Sequence, residues 1–346
     1  MKRLLFTLCV IITTLFGSIC IASASSVEYI KANNDYITKT VNLNEFSKLK
    51  LMGYYTVEYR QSNSESCRAE IFAPSNIMEY IVCESNNGEL LIKTKDKISI
   101  NFQNNDKTKI VVWSKNLNSG CLIGSGDLYL NDLTGDNLSV KLQGSGDVIV
   151  KSIKENSNTD IILQGSGDIV VDNILTGDLL NFTLFGSGDI KIGSAKASQI
   201  KSNLQGSGDI KCDYLEAKNA EASLMGSGDF YISKFQTGES LDLSLKGSGD
   251  LSVKSIKTNL LKASLTGSGD IYLSGNANIA RYSVVSSGTI SAPNLKSDDV
   301  TATINGSGDI SCHADKKLSG NVTGSGDIVY SGNASVSGTL KKISKR

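Results

Sequence analysis

Aliphatic residues recur in fixed phase along most of this chain, at a spacing that no helix produces. Leu122, Leu142, Leu163, Leu184 and their successors as far as Val322 stand about twenty residues apart. Six residues after each comes an apolar-x-apolar triplet, as in Leu128-Tyr129-Leu130, Ile190-Lys191-Ile192 and Phe230-Tyr231-Ile232. Such alternation turns the outer two residues inward and the middle one outward on a strand. A further inward position follows at Leu133, Ile153, Ile174, Ala195, Leu215 and Phe235. It fails at Asn276 and Asp315, so that side is expected to loosen towards the C-terminus.

Between the aliphatic residue and the triplet sits Gly-Ser-Gly-Asp. The tetrapeptide occurs ten times, from Gly124 to Gly324, and a degraded copy, Ser286-Ser287-Gly288-Thr289, fills the only gap. A flexible Gly-Ser linker does not hold aliphatic residues in phase around every copy. A period near 20 residues, with short strands and no helical pattern, predicts an all-β fold, a parallel β-solenoid of about eleven coils. At about 4.8 Å per coil the rod is roughly 50 Å long. In this reading the glycines allow positive φ and close stacking at a corner, while Ser and Asp bond nearby main-chain N–H groups. Calcium is the alternative. Carboxylates one coil apart repel by about 1 kcal/mol in water and by more near protein, and cations between coils would offset that.

Residues 41–119 lack the tetrapeptide and read as a β-rich N-terminal cap. Leu49-Lys50-Leu51, Tyr55 to Tyr59 and Leu90 to Thr94 alternate as strands, and Lys109 to Trp113 reads as a strand buried on both faces. Pro74 to Ile81 reads as one short helix. Residues 25–40 are a flexible lead-in, 120–340 the solenoid and 341–346 a basic tail.

Lys2 and Arg3 precede an apolar run from Leu4 to Ile21, and Ala22-Ser23-Ala24 offers a cleavage site, so residues 1–24 read as a signal peptide. An uncleaved anchor is one alternative, and a lipoprotein modified at Cys20 another, though Ile19 stands before it where a small residue is expected. The expected mature chain is exported to the periplasm, outer-membrane surface or extracellular space, with no membrane span. The 35 basic residues balance 35 acidic ones, and the absence of a dense basic stripe argues against a nucleic-acid partner. Of the seven cysteines five lie beyond residue 24. Cys67 and Cys83 are the candidate disulfide. Cys212 and Cys312 occupy equivalent positions five coils, or roughly 24 Å, apart, too far to bridge.

In Gly267–Ala277 (GSGDIYLSGNA), Gly306–Cys312 (GSGDISC) and Gly324–Gly332 (GSGDIVYSG) the chain resembles the auto-transporter adhesin head GIN domain family, over roughly Phe46 to Ile343. The resemblance implies a β-solenoid behind a β-rich segment and suggests adhesion. It carries no catalytic residues to transfer, and no β-barrel translocator is expected behind the solenoid.

Catalysis would need acids, bases or metal ligands that break the repeat. The chain has one histidine, His313, read as a surface residue, and no zinc spacing or nucleophile elbow. No cofactor is expected. The outward triplet positions Tyr129, Lys191, Lys211, Tyr231 and Tyr272 form a candidate ligand face, with Tyr231 and Tyr272 about 10 Å apart, a spacing at which two rings stack on a sugar chain. The sequence therefore points to a non-enzymatic adhesion or interaction module, its partner an envelope or host surface component, with glycan a candidate. The alternatives are a polysaccharide-active β-helix enzyme and a calcium-binding repeat protein.

Overall fold

A computed structural model describes residues 26–102 and 106–346, so the signal-peptide segment lies outside the described residues. The fold is a parallel β-solenoid. Strand follows strand from Ser119 to Ser331 with each coil paired in parallel to the next. The first glycine of each corner stacks on the last in strict register: Gly124 on Gly144, Gly144 on Gly165, and so on to Gly306 on Gly324. The aliphatic column from Leu122 to Ile304 is buried throughout, as is the third inward position from Leu133 to Ile256 and again at Leu295.

Alternation supplies this core. Along Ile210–Gly226 the inward residues are buried and the outward ones half-buried or exposed. Each fully buried aliphatic side chain contributes about 1.5–3 kcal/mol. Large rings fit because the coils on either side give way. Tyr282 stacks between Ala263 and Ala302, and Phe182 lies against Ser202. The coil does not open at Asn276. One residue is dropped there, so Gly275 lies opposite Ile256 and Ala277, in register with Thr258, fills the next inward place. At Asp315 the core is kept by Ala314, in register with Ser297.

The cap comprises β1 (Glu28–Lys31), β2 (Tyr36–Asn42), β3 (Lys48–Gly53), β4 (Thr56–Gln61), β5 (Arg68–Pro74), β6 (Ile81–Asn86), β7 (Glu89–Thr94), β8 (Ile98–Asn101) and β9 (Lys109–Ser114). The solenoid begins inside it. β3 pairs with Ser119–Gly124, setting Gly53 under Gly124, and β4 pairs with the strand Asp127–Gly144. β7 and β9 form the next layer, parallel to β3 and β4. Beyond them the pairing turns antiparallel: β6 lies on β7, β5 on β9, and β2 on β5. The parallel stack thus ends in antiparallel edge strands, and Lys39 at the middle of β2 guards one edge against further pairing.

Three expectations are corrected here. The lead-in expected over 25–40 is not loose in its described part, 26–40, because β1 pairs with β8 and β2 with β5. Pro74 to Ile81 is not a helix. β5 runs to Pro74, and Ile77 and Tyr80 donate to carbonyls three residues back, giving one 3-10 turn at Met78–Tyr80. The segment 341–346, expected only as a basic tail, joins the fold: Leu340–Lys342 form a 3-10 turn and Ile343–Lys345 a strand on Ile328–Ser331. In β9 the alternation persists, with Val111 half-buried between Ile110 and Val112.

Candidate functional site

At the repeated corner, the Ser and second Gly N–H groups both donate to the first Gly carbonyl of the preceding coil, as Ser187 and Gly188 do to Gly165 at 2.9 and 3.2 Å. Gly186 has φ +151°, and a Cβ on either Gly186 or Gly188 would collide with a carbonyl oxygen of the coil before it. Stacking itself therefore selects glycine at both places.

The aspartates form a relay. Asp147 Oδ1 accepts the main-chain N–H of Asp168, Asp168 that of Asp189, and Asp189 that of Asp209, at 2.9 to 3.0 Å. Eight consecutive steps run from Asp127 to Thr289, and Asp309 resumes with Asp327. Thr289 receives a carboxylate but has none to pass on. Its corner still forms. Ser286 takes the glycine place at φ +126°, and its hydroxyl donates to the Gly267 carbonyl at 2.6 Å.

The five expected face residues fall in one outward column. Tyr129 is in register with Ile149, then Val170, Lys191, Lys211, Tyr231, Ser252 and Tyr272. Most of its polar groups already have partners. Lys191 bonds Asp168 Oδ2 at 2.8 Å and Lys211 bonds Asp209 Oδ2 at 2.9 Å. Partial burial works against the charged forms of Asp168 and Asp209, but these lysines and the next coil's N–H outweigh it and hold both carboxylates below the usual range. Lys254 lies over the Tyr231 ring, and the Tyr272 hydroxyl donates to Asp270. The rings of Tyr129 and Tyr272 remain exposed.

Cys67 and Cys83 are free thiols, the first half-buried and the second buried on the inward face of β6. Burial pushes the Cys83 thiol up to about 12, the mark of an inert core cysteine. His313 is half-buried, with Nδ1 2.9 Å from Ser331 Oγ and Nε2 3.0 Å from Asp315 Oδ1. A serine nucleophile is activated through Nε2 while the acid holds Nδ1, so these contacts are reversed. They tie the coil of Ser331 to the one before it. Among the described residues no group of three or more His, Cys, Asp or Glu is placed to share a metal ion.

A second corner went unread in the sequence. Eleven residues after the first Gly of most coils comes an inward column of mostly small residues: Gly135, Glu155, Thr176, Ala197, Ala217 and Thr237, each in register with its neighbour where the ladder is continuous. Where Thr176 to Thr237 form its floor, the rod carries a trough of about 580 Å³. Leu175, Lys196, Glu216, Gln236 and Lys257 line one wall. Glu216 bonds Lys196 at 2.6 Å through one oxygen and the Tyr214 hydroxyl at 2.6 Å through the other; Lys196 first, then Tyr214, hold this carboxyl low. Glu155, further up the column, is 3% exposed, and neither oxygen has a hydrogen-bond partner among the described residues. Burial and then nearby Asp136 push its carboxyl up to about 7.

The model of the family described as "Putative auto-transporter adhesin, head GIN domain" matches residues 45–157, 150–237 and 233–334. The chain belongs to the head GIN domain family. A "putative adhesin" from Bacteroides fragilis is 21% identical, with 92% of this chain and 96% of that one covered and a TM-score of 0.35. A "putative adhesin" from Parabacteroides distasonis is 20% identical over 92% and 98% at 0.35, and a "putative lipid binding protein" from the same organism is 20% identical over 92% and 100% at 0.31. Comparison with curated proteins finds no match. The first of the three family matches begins at Glu45, just ahead of β3, so the head GIN domain takes in the cap's solenoid layers as well as the repeats.

Proposed function

We propose that this head GIN domain protein is an exported, non-enzymatic adhesion module of the bacterial cell envelope. The observation that carries the reading is the relay of aspartates. The one constellation repeated often enough to be a catalytic or calcium site spends an oxygen of nearly every carboxylate on the next coil's N–H. Function then falls to the flanks of the rod, where side chains from successive coils stand at even spacing. The column Tyr129, Lys191, Lys211, Tyr231 and Tyr272 is one contact face in this reading, with glycan the favoured partner.

The test is retention without turnover. Immobilised protein is exposed to envelope and host-surface glycans, and bound and released material are both measured. Retention of intact glycan, weakened in a Tyr231→Ala/Tyr272→Ala variant, is expected. Release of new reducing ends would favour the polysaccharide-active reading instead.

A further inference from the structure

The trough along the second corner has three properties that together specify a ligand. It runs parallel to the rod axis across successive coils, so its occupant is extended. Its floor is shallow and apolar, built from Ala197, Ala217 and the methyl-bearing Thr176 and Thr237, with exposed Leu175 at one end. Its charge is one-sided. Glu216 is satisfied by Lys196 and Tyr214, whereas Lys218 and Lys257 line the trough, are exposed, and make no ion pair among the described residues. Asp178 and Glu239 follow the corner glycines Gly177 and Gly238 and are not among the lining residues.

The main chain narrows the choice further. Gly177 N–H donates to Glu155, Ala197 to Glu216, Ser198 to Gly177 and Lys218 to Ser198, all across coils. These main-chain groups are spent on neighbouring coils rather than offered to an extended peptide, and recognition falls to ammonium, amide and hydroxyl groups above an apolar floor. That pattern suits a chain of sugar rings, with C–H faces for the floor, hydroxyls for Gln236 and Ser198, and anionic groups for the lysines.

We propose that this trough binds an extended anionic polysaccharide, its carboxylate or sulfate groups held by Lys218 and Lys257. The site goes beyond the adhesion reading, since it lies on a different column from Tyr231 and Tyr272 and is tested apart from them. Calorimetric titration of the purified chain uses three probes of equal length: a linear uronic-acid oligosaccharide, a neutral glucan and a poly-glutamate peptide. Binding of the uronic-acid chain alone is expected, weakening with added salt. Lys218→Ala/Lys257→Ala should lower that affinity about tenfold or more, as loss of charge-assisted bonds requires. Both lysines are surface side chains, and an unchanged melting profile confirms that the variant folds. The Tyr231→Ala/Tyr272→Ala variant should bind as the parent does. Equal binding of the glucan or the peptide, indifference to the lysine substitutions, or loss only in the tyrosine variant would overturn the assignment; failure here leaves adhesion through the tyrosine column standing.

Discussion

Asp250 Oδ1 accepts the main-chain N–H of Asp270, 2.9 Å away in the following coil. A side chain here supplies an acceptor that the parallel ladder does not. Asp250→Ala leaves the Asp270 N–H without it, at a cost of about 1–3 kcal/mol. Asp250→Asn keeps a carbonyl oxygen and removes a charge, so its cost should be smaller. Hydrogen exchange of the Asp270 amide is the local readout: fast in the alanine variant, near the parent rate in the asparagine one.

Ser286 sits at φ +126° with its hydroxyl bonded to the Gly267 carbonyl. The hydroxyl oxygen also accepts the Gly267 N–H at 2.9 Å. Ser286→Ala keeps the backbone strain and loses both bonds, and is expected to destabilise by about 1–3 kcal/mol. Ser286→Gly loses the same bonds but relieves strain of about 1–3 kcal/mol, so it should come out near neutral. Urea midpoints should rank glycine above alanine. The reverse order would mean that the hydroxyl outweighs the conformation.

Glu155 makes stability depend on pH. Its carboxyl is raised to about 7 in the fold against 4.5 unfolded, so the folded chain binds the extra proton between those values. Stability should fall as pH rises from about 4.5 to 7, by about 3 kcal/mol in all, and then level off. Acids held low in the fold, such as Glu58 at about 2, act in a more acidic window. The difference between the parent and Glu155→Gln, followed by urea unfolding from pH 4.5 to 8.5, isolates the effect. A flat difference would place the carboxylate in contact with water or a cation.

His313 bridges Ser331 and Asp315 in the arrangement opposite to a hydrolase. His313→Ala should loosen the last coils, seen as faster exchange of the amides of Ile328–Ser331. The parent should neither hydrolyse activated esters nor be acylated at Ser331. A stoichiometric acyl burst, tracked by mass spectrometry, would show the triad to be competent.

The first corner and the core were legible because strict period leaves no freedom. An inward leucine and a stacked glycine each have one place per coil. The aspartate's role was read in kind, a bond to main-chain N–H, but its recipient lies some twenty residues onward, where local reasoning does not reach. The second corner was hidden because Gly135, Glu155, Thr176 and Ala197 share neither hydropathy nor size, and so leave no periodic mark. β2 was missed for a related reason. Its residues Ile37 to Thr40 are exposed on both faces, and alternation disappears where nothing is buried.

Corners in strict register from Gly53 to Gly324 also set how the rod carries load. Force applied at Arg346 falls on one coil at a time, since each coil is bonded mainly to its neighbours. The rod should peel rather than snap, each coil paying out roughly 60–70 Å of chain. Pulled from that end, the protein should lengthen in a series of nearly equal extensions, each the release of one coil, while the coils not yet reached stay folded.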